Sequence, residues 1–303
     1  MIAFVFPGQG SQFVGMADEL PRSLRDRFML RASQILGYNL EELCHHGPEE
    51  KLKMTIYTQP AIVTTSIIAY EMVKENGVVP SFVAGHSVGE YSALYAAGVL
   101  NFDSVIRLVA KRAKLMEEYG RGTMAAVIGL SLDEVTAVVN GIDGVVVANI
   151  NSPTQIVISG ETESVERAEA ELKEKGAKRV IQLKVGGAFH SFIYEEASEI
   201  FAEYIDSFQF QKPSCPVLPN VTGEPTTDPV RIKECLKKQI ISPVRWSETV
   251  INLGEAGVKL FVEVGPGKVL SGLIKRTIYD ARTFTICSPQ ELSQFLEELK
   301  GSS

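Results

Sequence analysis

The sequence predicts an α/β protein in which a larger domain with a parallel sheet carries a smaller inserted βαββαβ unit of the ferredoxin-like kind. Three observations lead there. Short apolar runs at Ile2–Phe6 and Phe82–Gly85 end in glycine-containing turns and alternate with helical patterns. Residues 123–190 switch to the order strand, helix, strand, strand, helix, strand. The chain then resumes α/β character, with an apolar run at 259–264 entering the turn Gly265-Pro266-Gly267.

Taken in order, Ile2–Phe6 reads as a short buried strand that runs into the loop Pro7-Gly8-Gln9-Gly10-Ser11-Gln12. Helical patterns extend to about residue 76, a second strand lies near Phe82–Gly85, and helices continue to Tyr119. The insert is expected as strand 124–130, a helix from Ser131, strands 145–149 and 156–159, helix 161–175 and strand 179–185. Ser131-Leu132-Asp133-Glu134 has the capping-box form, and Val165, Ala168 and Leu172 recur on one helical face before Gly176 stops that helix. The expected division is a large domain of residues 1–122 and 191–303 and a small one of residues 123–190. Beyond it Pro213, Pro216, Pro219 and Pro225 break the pattern, and Gly301-Ser302-Ser303 reads as a frayed tail.

Composition narrows the function classes. A chain of 303 residues, 45% hydrophobic and 22% charged, has the makings of a globular protein with a sizeable core. A net charge of −7 disfavours non-specific nucleic-acid binding. The apolar run Ile2–Phe6 is too short for a membrane span or a secretory core and lacks a basic lead, so a cytoplasmic protein with no membrane partner is expected. Cys44, Cys215, Cys235 and Cys287 are scattered without a C-x-x-C pair, and Cys44-His45-His46 has no second ligand cluster, so neither a disulfide framework nor a metal site is expected.

The chemistry centres on Gly85-His86-Ser87-Val88-Gly89, a G-x-S-x-G between a strand and a helix rich in small residues (Ser92, Ala93, Ala96, Ala97). In that context the motif makes a tight turn that lifts a serine hydroxyl above the sheet edge, beside the N–H groups of a helix N-terminus. A glycine-flanked structural turn is the alternative. A nucleophilic serine needs a base, and the chain has four histidines. His86 adjoins Ser87, where the turn sends neighbouring side chains apart. His190 stands where the insert hands the chain back to the large domain, a position facing an interdomain cleft. His190 as base and His190 as an idle loop residue both stay open.

Arg112 is the most informative position. In the helix from about Phe102 to Tyr119, Val105, Leu108, Val109, Leu115 and Met116 all fall within about 60° of it at about 100° per residue. Arg107, Lys111, Lys114 and Glu118 form the polar face elsewhere. A guanidinium on the buried face needs an anion, either a structural carboxylate or the carboxylate of a substrate. The Gly8-Gln9-Gly10 loop fails the dinucleotide pattern G-x-G-x-x-G at Phe13, and no phosphate-binding P-loop exists. It could instead bring the Gln9 N–H beside Ser87, completing an oxyanion hole with the N–H of Val88.

These residues resemble a family at several points in order along nearly the whole chain: FVFPGQGSQ, GHSVGEYSAL, VAKRAKLM, NINSPTQIVISG, GAFHS, and the run from SPVRW to FVEVGPGKVLSGL. Together they look like the malonyl-CoA:acyl carrier protein transacylases of bacterial fatty acid synthesis. The resemblance implies an α/β-hydrolase-like core with a ferredoxin-like insert, Ser87 as nucleophile, His190 as general base, Arg112 as ligand of the malonyl carboxylate, and Gln9 with the backbone of Val88 as oxyanion hole. It implies that the backbone carbonyl of Gln239 orients the histidine in place of a triad acid, and that Asn151 lines the cleft, although an Asx-turn before Pro153 is a competing role. Phe189, beside the base, resembles the form selective for malonyl over methylmalonyl. One methyl supports only about 1–3 kcal/mol of discrimination. Malonyl-CoA and acyl carrier protein are the implied partners, CoA thioester and phosphopantetheine are substrates with no cofactor besides, and a monomer is expected. Because both partners are acidic, a basic rim of Lys184, Lys268, Lys275 and Arg276 is expected around the cleft.

Two other function classes remain at this stage. A serine esterase or thioesterase would share Ser87 and His190 but need a triad acid and no buried arginine. A non-catalytic carrier-binding module built on the insert would not need Ser87 at all.

Overall fold

The computed structural model describes residues 1–301. Nine strands are described: β1 (Ile2–Phe6), β2 (Phe82–Gly85), β3 (Thr123–Ile128), β4 (Val145–Ser152), β5 (Gln155–Gly160), β6 (Arg179–Gln182), β7 (Val217–Leu218), β8 (Leu260–Val264) and β9 (Arg282–Ile286). They form a five-stranded sheet in the order β7-β2-β1-β8-β9, every pair parallel, and a four-stranded antiparallel sheet in the order β4-β5-β3-β6. The chain is therefore α/β with a parallel core sheet and an insert of ferredoxin-like strand order.

Strand β1 shows why the large sheet is buried on both sides. Its alternate residues Phe4 and Phe6 join one core with the helices Thr55–Glu75 and Phe102–Glu118, while Ala3 and Val5 join another with Trp246, Val250 and Ile274. Strands covered on both faces read as unbroken apolar runs rather than alternating ones. The helix Thr55–Glu75 is itself buried without a break from Thr58 to Val73, consistent with a helix that has no polar stripe. Phe6 pairs with Gly85, so the loops after β1 and β2 leave the sheet side by side at its carboxyl edge, where open α/β sheets form their ligand crevices.

The insert has its own core of Val127, Val135, Ile156, Ile158, Val165 and Leu172, among others. The capping box at its first helix is present: the Glu134 N–H donates to Ser131 Oγ, and the Ser131 N–H donates to Glu134 Oε2 at 2.8 Å. The insert is tied to the large unit where the Val244 N–H donates to the Ala148 carbonyl and the Ile150 N–H to the Val244 carbonyl, at 2.8 and 2.9 Å.

Some boundaries differ from those read in the sequence. The last strand of the insert stops at Gln182 rather than 185: the Leu183 N–H still donates to the Met124 carbonyl at 2.8 Å, but the chain then leaves the sheet, and Leu183 and Val185 line the space between the two units. Strand β4 runs on to Ser152, extended by its pairing with β5. The strands β7 and β9 had no clear signal, the first being two residues long amid prolines. Gly301 closes the helix Pro289–Gly301, and the rest of the expected frayed tail, Ser302 and Ser303, lies outside the described residues. Among the described residues no helix is long and apolar enough to cross a membrane.

Candidate active site

Ser87 stands at the carboxyl end of β2 with φ of 51°, in the left-handed region that costs a non-glycine residue energy. The flanking glycines explain the turn. A Cβ on Gly85 would lie 2.0 Å from the Gly89 carbonyl carbon, and one on Gly89 would lie 2.2 Å from the Phe6 carbonyl oxygen. No larger residue fits either place. Asn220 straps the turn from behind: its Oδ1 accepts the Ser87 N–H at 2.7 Å and its Nδ2 donates to the Gly85 carbonyl at 2.6 Å.

His190 follows the insert and, among the described residues, is the only other non-glycine residue with a positive φ, 58°. Its Nε2 lies 2.8 Å from Ser87 Oγ, and its Nδ1 lies 2.9 Å from the Gln239 carbonyl and 3.1 Å from that of Ser242. Carbonyls only accept, so Nδ1 carries the proton and the Nε2 lone pair faces the serine hydroxyl. Burial, then the Arg112 charge, push the imidazole pKa down to about 3, so the ring is neutral at ordinary pH. The acid of a hydrolase triad has no counterpart here. Two backbone carbonyls occupy its place.

Arg112 is 1% exposed, on the same helical face as the buried Val105, Leu108, Val109, Leu115 and Met116. Its Nη2 donates to Ser87 Oγ at 3.0 Å and to Gln239 Oε1 at 3.1 Å, and its Nε donates to the same oxygen at 3.2 Å. The Tyr91 ring lies 5.8 Å from the guanidinium carbon. Among the described residues no carboxylate is within ion-pair distance, so the structural-pair reading of Arg112 finds no partner. The charge is held by neutral groups next to the nucleophile, which leaves it available to an incoming anion.

These groups open on a cavity of about 190 Å³ between the two units. Gln9, Val88, Asn151 and Phe189 line it along with Ser87, Arg112 and His190, so every site residue read from the sequence except Gln239 reaches its wall. Gln239 is fully buried directly behind. Among the described residues the N–H groups of Gln9 and Val88 have no protein acceptor, as oxyanion donors require. The Gly8 backbone presses against His86 so closely that a Cβ there would meet the His86 carbonyl at 2.4 Å. His86 itself faces away from Ser87 Oγ: it donates from Nε2 to Asn151 Oδ1 at 2.8 Å and sets its ring edge-on to Trp246. Asn151 is thus a strand residue in β4, not an Asx-turn. Phe189 packs against Tyr194 with ring centroids 5.9 Å apart.

Three polar residues at the site were not singled out in the sequence. Asn220 follows a two-residue strand, with no spacing that marks it. Gln59 lines the cavity from a buried helix, and its Oε1 has no partner; that helix also buries Thr58, Thr64, Thr65, Ser66 and Glu71, so no pattern in the sequence set Gln59 apart. Glu90 directly follows the G-x-S-x-G turn and is 1% exposed, where burial raises its pKa to about 7. Its signal was a carboxylate in a helix rich in small residues. Among the described residues no group of three His, Cys, Asp or Glu side chains could hold a metal ion.

Comparison with known proteins places these features among relatives. Residues 3–293 match the family described as acyl transferase domain. A malonyl CoA-acyl carrier protein transacylase of Bacillus subtilis is 42% identical over 99% of this chain and 97% of its own length. The solved malonyl-CoA:ACP transacylase of Synechocystis superposes with a TM-score of 0.93 at 41% identity, covering 97% of this chain and 99% of that one. A malonyl-transacylase solved in complex with its type II PKS acyl-carrier protein superposes with a TM-score of 0.94 at 39% identity, over 98% of this chain and 99% of that one.

Proposed function

The chain belongs to the acyl transferase domain family, and from that premise we propose that it transfers the malonyl group of malonyl-CoA to the phosphopantetheine thiol of acyl carrier protein through a malonyl ester on Ser87. The observation that carries this reading is the buried Arg112 guanidinium one hydrogen bond from Ser87 Oγ. A site for neutral acyl groups has no use for a buried cation. A malonyl thioester places its carboxylate two carbons from the carbonyl under attack, which suits an anion site next to the nucleophile.

The steps follow from the hydrogen bonds. His190 Nε2 takes the Ser87 proton as Oγ bonds to the thioester carbonyl carbon, and the new oxyanion accepts from the N–H groups of Gln9 and Val88. The carbon–sulfur bond breaks, and CoA leaves as a thiol with the proton returned from Nε2. In the second half the carrier thiol gives its proton to Nε2 and attacks the ester carbonyl. Ser87 Oγ then leaves and recovers that proton. Paired with Arg112, the malonyl tail is held so that its ester faces the incoming thiol rather than loosely placed water.

No cofactor enters these steps. Lys184, Lys268, Lys275 and Arg276 are exposed; Lys184 and Lys268 adjoin the cavity residues Leu183, Val185 and Val269, and Arg276 donates to Gln155 of the cavity wall, which supports a basic rim for two acidic substrates. The same reading takes the protein as a monomer acting in the cytoplasm, where malonyl-CoA and the carrier protein would supply fatty acid synthesis. The test measures, side by side, free malonate released and malonyl passed to carrier thiol. Transfer in large excess supports the transferase. Malonate as the main product would make the protein a thioesterase.

A further inference from the structure

Ser87, Arg112 and His190 all lean on one buried residue, Gln239, and its side-chain amide leans in turn on a carboxylate the mechanism does not use. Gln239 accepts from Arg112 through Oε1, while its Nε2 donates to the Ser87 carbonyl at 3.0 Å and to Glu90 Oε2 at 2.7 Å. Its own backbone carbonyl accepts from His190 Nδ1. Glu90 Oε2 also accepts the N–H of Asn220, the residue that straps the Ser87 turn, at 3.1 Å. An amide can be turned end for end, and only its surroundings decide which end points where.

We propose that Glu90 is a positioning residue that fixes the polarity of the Gln239 amide, and through it holds the Arg112 guanidinium in the place where it pairs with a substrate carboxylate.

The argument is one of donors and acceptors. Oε2 of Glu90 meets two N–H donors, so it serves as an acceptor there. With the amide turned over, Gln239 Oε1 would face Glu90 Oε2 and the Ser87 carbonyl, three acceptors together, and its NH₂ would face the guanidinium, donor against donor. Both contacts are buried, where unmatched polar groups are costly. The pull of Glu90 on Nε2 therefore aims Oε1 at Arg112. A direct Glu90–Arg112 ion pair would hold the guanidinium too, but would neutralise it. The neutral amide between them passes on orientation and leaves the charge for the ligand.

This inference rests on the malonyl-transfer reading, and the test separates the two. Malonyl-CoA and acetyl-CoA are used as alternative acyl donors, and the ratio of their kcat/KM values for loading Ser87 is measured in the parent and in Glu90→Gln. Gln at 90 has nearly the same shape but accepts only through a neutral amide oxygen and brings an NH₂ into the same buried space, so the bias on Gln239 is weakened. The expected result is a fall of about tenfold or more in the malonyl-to-acetyl ratio, carried by KM for malonyl-CoA, with acetyl loading little changed. Glu90→Asp, which keeps the acceptor but withdraws it by one methylene, is expected to fall between, and it replaces Glu90→Gln if that variant does not fold. Combined with Gln239→Met, Glu90→Gln is expected to add nothing to the loss seen in Gln239→Met alone. A ratio within twofold of the parent in a folded variant, equal losses with both donors, or additive losses in the double variant would overturn the proposal. If the parent does not load malonyl at all, it is the function that fails.

Discussion

Arg112 Nη2 donates to the same Ser87 oxygen that faces His190 Nε2, at 3.0 and 2.8 Å respectively, so anion site and nucleophile are one hydrogen bond apart. The serine is thereby oriented between a base and a cation. A substrate carboxylate that draws the guanidinium to itself delivers its own carbonyl to the hydroxyl. Recognition and attack are then parts of one movement.

Removing the cation should cost recognition more than chemistry. Arg112→Ala is expected to lower kcat/KM for malonyl-CoA about 100-fold or more, in line with 3–5 kcal/mol for breaking a buried charged pair, while acetyl-CoA loading changes less than tenfold. Arg112→Lys keeps the charge but not the planar fork, and recovers only part of the loss. Steady-state loading assays with both donors check this.

The buried imidazole has a consequence for acid stability. His190 titrates near 3 in the folded protein against 6.5 when exposed, so between those values the unfolded chain binds the extra proton. Its contribution therefore falls as pH drops through that window, by about 2 kcal/mol at pH 5. Glu90, raised from 4.5 to about 7, acts in the other direction: its burial favours folding below 4.5 and loses that benefit as pH rises toward 7. Comparing the parent with His190→Asn isolates the first effect. Thermal melts from pH 7 to pH 4.5 should show the variant gaining on the parent as the pH falls; a constant difference would refute it. The same low pKa predicts an acid limb of kcat/KM lying well below pH 6.5.

The oxyanion assignment concerns a backbone group, so side-chain loss and N–H loss must separate. Gln9→Ala should leave malonyl loading within about threefold, whereas Gln9→Pro, which removes the donor, should lower kcat by about 10²–10³. Equal effects of the two would assign the role to the side chain instead.

The turn that carries Ser87 has no room for a methyl group. Gly85→Ala would set its Cβ 2.0 Å from a backbone carbon, with no flexible side chain to move aside, so loss of loading and a lower thermal midpoint are expected together. A Gly272→Ala control, in a helix where the added Cβ meets nothing within 4 Å, should leave loading unchanged and, if anything, raise the thermal midpoint.

What could be read in the sequence was whatever repeats or contradicts a local pattern. The insert announced itself through its capping box and helical stripe, and Arg112 through being a cation on an apolar face. Ser87 came from a five-residue motif whose glycines are each required by a backbone contact under 3 Å. The parts that stayed hidden depend on meetings between distant segments. Asn220 lies 133 residues from Ser87, and the Gln239 amide meets Glu90 across 149 residues. A resemblance supplied the Gln239 carbonyl as the orienting group, but not its side chain, whose role depends on which end of an amide faces which neighbour. Strand β6 fell short because the chain leaves the sheet after Leu183, and the side chains of Leu183 and Val185 line the cavity.

The most direct measurement is the intact mass of the protein after brief exposure to malonyl-CoA, before and after addition of the phosphopantetheine form of acyl carrier protein. The account predicts one malonyl adduct, mapped to Ser87 and absent in Ser87→Ala, that disappears as the carrier protein gains the same mass. An unmodified Ser87, or an adduct that is lost as free malonate at the same rate with and without the carrier protein, would contradict it.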